Sequence, residues 1–231
     1  MVLGCIVAVL NLLPLLRANP LHCDFQVPQI PDNTTGSKLL GKWFYVAGAS
    51  QFPRHWLEMT LIDNGYLQVD PNEQGQELFI SQHVSAMDEC LTSNSTYFEV
   101  TVDHVTLIKN VQNRHTVGKL MNSSSEDILL IQIEMQKEKN YTGLYLYARK
   151  QPPSKVHLNE LRNHAECLGL SEDQIVYAPW KKVKFSLGIR KSHCLVCSVL
   201  RHQDTLQLGE NKRLQSILLK MSQIAVHHQR V

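Results

Sequence analysis

Beyond Leu16 the chain lacks any apolar run that could cross a bilayer of about 30 Å, a span that takes about 20 residues. It also lacks a clustered basic face. Residues 19–184 carry 15 basic and 19 acidic side chains, a net of −4, where nucleic-acid binding calls for concentrated positive charge. Neither His-Glu-x-x-His, Gly-x-Ser-x-Gly nor a glycine-rich phosphate loop occurs, so the common hydrolase and nucleotide chemistries have no anchor. Cys194 and Cys197 stand with two residues between them beside His193. Without a second ligand pair or a thioredoxin-like context they define neither a metal centre nor a redox motif. No cofactor and no metal is implied, and an enzyme is not the expectation.

What the chain does have begins with an apolar stretch, Val2 to Leu16, followed by Arg17-Ala18 and a change of character at Asn19-Pro20. A run of this length is too short for a transmembrane helix and suits a secretory signal peptide over residues 1–18, with cleavage after Ala18. A buried N-terminal helix is the alternative. Four Asn-x-Ser/Thr acceptors, at Asn33, Asn94, Asn122 and Asn140, agree with export and predict surface glycans. Five cysteines follow the leader: Cys23, Cys90, Cys167, Cys194 and Cys197. An odd number in an exported chain leaves at least one thiol free or paired elsewhere.

The middle of the chain reads as short strands separated by turn signals. They run over Trp43–Ala49, Met59–Val69 (interrupted by a turn at Asp63-Asn64-Gly65), Glu77–Val84, Thr96–Val102, Val105–Lys109, His115–Met121, Ile128–Met135 and Leu144–Ala148. Period-two alternation assigns Phe98, Val100 and Val102 to one face. Val105 and Leu107 share a face with Lys109, and Leu129, Ile131, Ile133 and Met135 share another. Strands adjacent in sequence and joined by short loops favour an antiparallel up-and-down meander, which loses its exposed edges by closing into a barrel. One helix follows. Ser154 is placed to cap it, Leu158, Leu161, Ala165 and Leu168 form its apolar stripe, and Gly169 is placed to end it. Ile175–Tyr177 adds a last short strand. The predicted fold is all-β with one packed helix.

Gly41-Lys42-Trp43 is the G-x-W tripeptide that marks the first strand of lipocalins. Alone it is weak. It is joined by Phe44-Tyr45, Asp88-Glu89-Cys90, Gly143-Leu144-Tyr145-Leu146-Tyr147-Ala148 and Val176-Tyr177-Ala178-Pro179-Trp180-Lys181-Lys182. With these blocks, residues 1 to about 184 resemble the lipocalins, in particular the family's plasma carriers. The resemblance implies an eight-stranded barrel over 19–184 whose interior takes one small lipophilic or amphiphilic ligand, secretion into plasma, and modulation of immune cells in the acute phase through cell-surface receptors or glycans. A glycan-mediated interaction protein is the second reading. A lipocalin-type isomerase is a distant third, for which Cys90 would be the only thiol. A closed barrel without membrane insertion is expected to be a monomer.

Carried over position by position, the resemblance places the ligand-lining residues at Tyr45, Ile62, Ile80, Phe98, Leu107, Lys109, His115, Leu129, Ile131, Ile133 and Tyr147. Alternation reaches Phe98, Leu107, Lys109, Leu129, Ile131 and Ile133 independently. Lys109 is the informative member, because an inward ammonium needs water, a partner or a ligand acid; the alternative is a strand-end lysine whose stem carries the charge to solvent. Where the family has a carboxylate and an arginine on the third strand, this chain has Gln82 and Ala86. That loss of charge predicts a preference for neutral or anionic ligands. The resemblance also pairs Cys23 with Cys167. Phe185 occupies the position of the family's partner for Cys90, which leaves Cys194 or Cys197 as substitutes. From Phe185 onward the resemblance stops. Residues 185–231 hold seven basic and two acidic side chains, with an amphipathic pattern at Leu214, Ile217, Leu218, Met221 and Ile224. This divergent tail reads as a genuine extension, a membrane-surface helix or, as the abrupt change favours, sequence from an aberrant transcript.

Overall fold

The computed structural model describes residues 23–180, apart from 25, 73–76, 88, 112–113 and 137–138. The expected leader over 1–18 and the expected divergent tail over 185–231, with Cys194 and Cys197, lie outside the described residues. Eight antiparallel strands run β1 (Gly41–Ser50), β2 (Ile62–Pro71), β3 (Glu77–Ala86), β4 (Glu89–Val100), β5 (Val105–Val111), β6 (Arg114–Met121), β7 (Ile128–Gln136) and β8 (Asn140–Ala148). Each pairs with its sequence neighbour, and β1 pairs with both β8 and β2, so the sheet closes on itself. A helix α1 (Thr35–Leu39) precedes β1, and α2 (Pro53–Thr60) bridges β1 and β2. Helix α3 (Lys155–Cys167), a 3-10 turn (Glu172–Gln174) and β9 (Ile175–Tyr177) complete the chain.

Strand β1 serves two partners along one edge. Gly41–Phe44 pair with Val69–Tyr66 of β2, and Ala47–Ala49 pair with Tyr177–Ile175 of β9. The change falls at a register shift between Tyr45 and Ala47. A bulge bends and twists a strand, and here β2 gives way to β9 across it.

The floor of the barrel is made by the G-x-W segment. Gly41 has φ +90°, a left-handed conformation natural only to glycine, and a Cβ there would stand 3.4 Å from Nη1 of Arg149. Trp43 is 1 % exposed, and its indole N–H donates to the Leu39 carbonyl at 2.8 Å. The Arg149 guanidinium lies over that ring, 3.5 Å from its centroid. It donates to the carbonyls of Leu40 at 2.8 Å and Lys42 at 3.2 Å, and to that of Lys38. One side chain therefore satisfies the end of α1 and the start of β1 while covering the plug.

The long apolar runs of β7 and β8 have two destinations. Leu129, Ile131 and Ile133 enter the barrel interior together with Tyr147. Their alternates Ile128, Leu130, Leu144, Leu146 and Ala148 point outward and are buried beneath α3 by Leu161 and Ala165. Ser154 caps α3 by accepting from the His157 N–H at 3.2 Å, and Gly169, at φ +68°, ends it while Leu170 N–H returns to the Ala165 carbonyl at 2.8 Å. The N-terminal arm bridges β6 through Pro28 and Met121 and is tied to the end of α3 by the Cys23–Cys167 disulfide.

Four local expectations are corrected. Met59–Leu61 is not strand: Pro53 occupies the first turn of α2, where its missing N–H costs nothing, and the helix runs to Thr60. Asp63-Asn64-Gly65 is not a turn but part of β2, with the irregularity taken up between Ile62 and Asn64. Strand β4 starts seven residues before Thr96, at Glu89; its polar first half hides it from a hydrophobic-pattern reading. Val102, placed inward by alternation, follows the end of β4 and is 84 % exposed.

Replacing Arg149 by Met keeps the apolar stem but removes three charged hydrogen bonds. At about 1.5–3 kcal/mol for a hydrogen bond to a charged group, less non-additivity, Arg149→Met is expected to lower the unfolding free energy by about 2–4 kcal/mol in urea titration. A change under about 0.5 kcal/mol would show that the floor does not depend on this contact.

Candidate binding cavity

The interior is full at one end and open at the other. Trp43, Val69, Ile80, Phe98, Leu120 and Leu129 fill the floor and are all at most 4 % exposed. Above them a cavity of about 590 Å³ opens toward α2, a size typical of small-molecule sites.

Tyr45, Ile62, Leu107, Lys109, Ile131, Ile133 and Tyr147 stand on its wall. Ile80, Phe98 and Leu129 do not; they belong to the packed floor. An eight-stranded barrel is just wide enough for side chains to fill where large residues converge, and the residues beside Trp43 do so. His115 lies on β6 opposite Asn110, and its side chain is outside the described residues. Gln82 faces the cavity from β3, opposite Leu67, whereas Ala86 is buried at the strand's end and is not on the wall.

The cavity has two unlike sides. On one, Thr96, Lys109 and Thr116 are direct cross-strand partners on β4, β5 and β6, so the lysine springs from the wall between two hydroxyl-bearing residues. No hydrogen bond or ion pair reaches Lys109 from the described residues. Burial lowers its pKa, partly offset by Glu58 of α2. On the other side Tyr45, Tyr145 and Tyr147 form an aromatic cluster, with ring centroids 5.6 Å apart for Tyr45–Tyr147 and 6.2 Å for each of the other pairs. Burial raises all three phenol pKa values, so these hydroxyls stay protonated. From α2, His55 meets the Tyr145 ring edge-on at 5.6 Å and shares a hydrogen bond between Nε2 and the Tyr145 hydroxyl. Burial first, then the nearby Lys109 charge, lowers the His55 pKa to about 4. Glu58, also on the wall, is engaged by Arg54 at 3.3 Å.

Three buried polar atoms on this wall have no hydrogen-bond partner among the described residues: the Tyr45 hydroxyl, Thr96 Oγ1 and His55 Nδ1. Each such group costs about 1–3 kcal/mol. His55, Glu58, Thr96, Thr116 and Tyr145 were missed by sequence reasoning. Thr96 and Tyr145 were within reach of it, two residues from Phe98 and Tyr147 on the same strand faces. His55 and Glu58 were not, because they stand on α2, between the strands predicted over Trp43–Ala49 and Met59–Val69, where no element was expected.

Cys90 stands half-buried on β4 opposite Ser85. The glycan acceptors Asn33, Asn94, Asn122 and Asn140 are all exposed, with Asn94 inside β4 rather than in a turn.

A closed eight-stranded barrel with a plugged floor, one cavity open past a short helix and a helix docked on its wall defines a small-ligand binding protein of the calyx type. A family model described as the lipocalin / cytosolic fatty-acid binding protein family matches residues 40–182, and the chain belongs to that family. Its similar relatives include alpha-1-acid glycoprotein 1 of Mus caroli, 28 % identical over 80 % of this chain and 88 % of the relative. Alpha-1-acid glycoprotein of Bos taurus is 26 % identical over 76 % and 86 %. That of Oryctolagus cuniculus is 27 % identical over 79 % and 90 %. Among solved structures, lipocalin 12 from rat epididymis aligns with TM-score 0.55 at 11 % identity, over 69 % of this chain and 92 % of that one. The siderocalin Ex-FABP aligns with TM-score 0.53 at 17 % identity, over 62 % and 94 %. These two likenesses concern the fold.

If the Tyr45 hydroxyl is an uncompensated group reserved for ligand, removing it leaves the ligand-free fold as stable or more so. Tyr45→Phe is expected to raise the unfolding free energy of ligand-free protein by up to about 1 kcal/mol. A loss above about 1 kcal/mol would mean that the hydroxyl is already satisfied in the fold.

Proposed function

We propose that this chain is an exported carrier that holds one small lipophilic molecule in the barrel, with a preference for ligands whose polar end is neutral or acidic. The family and the alpha-1-acid glycoprotein relatives support a small-ligand carrier. The observation that carries the preference is Lys109, an ammonium on the cavity wall with hydroxyl neighbours. Gln82 adds no charge, and Glu58 is engaged by Arg54 at 3.3 Å. A carboxylate or other anion entering the cavity meets a buried cation that is costly to leave uncompensated, while an amine meets like charge. The apolar remainder of the ligand lies against Leu107, Ile131, Ile133 and the tyrosine cluster.

Affinity follows from size. A ligand of about 25 heavy atoms at about 0.3 kcal/mol per atom gains about 7–8 kcal/mol, a micromolar dissociation constant. Such a carrier works by abundance. Signal-peptide cleavage after Ala18, release into plasma and a monomeric state belong to the same reading. Modulation of immune cells through glycans is compatible with it and is supported by the exposure of all four acceptor asparagines.

The test is displacement of an uncharged fluorescent reporter by dodecanoate, dodecanol and dodecylamine at pH 7.4. Dodecanoate is expected to bind more tightly than dodecylamine, and Lys109→Met to weaken dodecanoate at least about tenfold while leaving dodecanol unchanged, the effect of one hydrogen bond to a charged group. Dodecylamine binding as well as dodecanoate, or Lys109→Met leaving dodecanoate unaffected, would contradict the preference.

A further inference from the structure

From α2, His55 packs directly against the aromatic side of the cavity, with Glu58 near enough to act on Tyr145. It lines the cavity together with Lys109, its Nε2 is engaged by the Tyr145 hydroxyl, and its Nδ1 is buried with no partner among the described residues. One nitrogen is therefore fixed by the barrel, and the other is left at a wall that the fold itself does not use. The groups around it can be enumerated. β8 brings Tyr145, β5 brings Lys109, β1 brings Tyr45, and α2 itself brings Glu58 and Arg54, which pair with each other at 3.3 Å. Tyr177 of β9, the remaining strand packed on α2, is turned to Glu172 and Arg162 at the surface. No anion that is free of a cation faces the imidazole among the described residues, and a cation does.

We propose that His55 is a second contact for the polar end of the ligand, and that binding of an anionic headgroup beside Lys109 is coupled to uptake of one proton by His55. The inference rests on the carrier reading above. In the ligand-free cavity a charged imidazole is opposed twice, by burial and by the Lys109 ammonium. An anion placed between the two reverses both effects: it neutralises the ammonium and offers an acceptor to Nδ1. The proton comes from solvent and is held on the imidazole. Nε2–H then donates to the Tyr145 hydroxyl and Nδ1–H to the anion, so the orphaned nitrogen gains its partner only in the complex. An uncharged ligand supplies no such compensation and takes up no proton.

Linkage fixes the sign. A group that binds a proton more strongly in the complex makes binding tighter as pH falls toward and below its pKa in the complex. His55 rises from about 4 in the free protein toward the ordinary histidine value. A rise covering most of that gap makes binding of a permanently charged anion about tenfold tighter at pH 5 than at pH 7.5.

The experiment uses a matched pair of fluorescent probes on the full chain. One is 1-anilinonaphthalene-8-sulfonate, whose sulfonate stays ionised throughout. The other is N-phenyl-1-naphthylamine, the same molecule without the sulfonate. The naphthylamine is expected to bind equally at pH 5 and pH 7.5, which also shows that the cavity is intact at both. The sulfonate is expected to bind about tenfold more tightly at pH 5, and His55→Gln to flatten that profile. NMR titration of the His55 ring in the wild-type protein gives a second readout independent of how the variant folds. Its midpoint is expected near 4 in the free protein and above 5.5 with the sulfonate bound. If both probes bind and the sulfonate shows no pH dependence, or the ring midpoint does not move, the proton coupling is wrong and the carrier reading stands. If the naphthylamine binds and the sulfonate does not, the anion preference and the coupling fail together. If neither binds, the carrier reading itself fails and takes the inference with it.

Discussion

The stack of Arg149 on Trp43 is the contact on which the rest of the barrel depends. Closure requires β1 to pair with β8 on one side and β2 on the other, and both pairings are in force within the few residues that this stack covers. Gly41 lets the chain turn into the strand at an angle that only glycine tolerates easily. The carbonyls freed by ending α1 and starting β1 are then met by one charged side chain. A floor sealed in this way permits the layer above it to stay open. Without the plug, the cavity would be a channel or would collapse.

Above that floor the barrel trades stability for a site. The outward faces of β7 and β8 are covered by α3 and satisfied by ordinary apolar packing. Inside, the molecule keeps an ammonium, four phenols, two imidazoles and two threonine side chains around a space that protein does not fill. The costs of burial fall on Lys109 and His55, and both are pushed toward their neutral forms. Perturbed groups that converge on one cavity mark a functional site more often than a structural one. The physical asymmetry is specific: cation and hydroxyls on β4–β6, aromatic rings on β1 and β8, with α2 lying between the cavity and its mouth.

Much of this was legible in the sequence because closed barrels impose a strict alternation. Leu107, Lys109, Ile131 and Ile133 could be assigned to the interior from pattern alone, and the Ser154 to Gly169 helix from its caps and stripe. Three kinds of residue escaped. Ile80, Phe98 and Leu129 are inward, as expected, but alternation gives the side of a strand and not the depth, so floor and wall look alike. Glu89–Ser95 pairs as strand through its backbone, with Glu89, Thr92 and Asn94 exposed and Leu91 its one large apolar residue, which leaves no alternating hydrophobic signal. His55 and Glu58 lie on a helix whose role is set by where β1 and β2 diverge, a tertiary fact. Val46 shows the same limit, since the bulge that exchanges β2 for β9 has no mark in the sequence beyond an apolar residue out of phase.

The central claim is that the cavity recognises an amphiphile through Lys109 while the tyrosine side holds its apolar part. The most direct measurement is a crystal structure of the protein with dodecanoate bound. The account predicts the carboxylate within hydrogen-bond distance of Lys109 Nζ and of a Thr96 or Thr116 hydroxyl, with the alkyl chain against Tyr45, Ile131 and Tyr147. A carboxylate left in solvent at the mouth, or a Lys109 side chain turned out of the barrel in the complex, would contradict it.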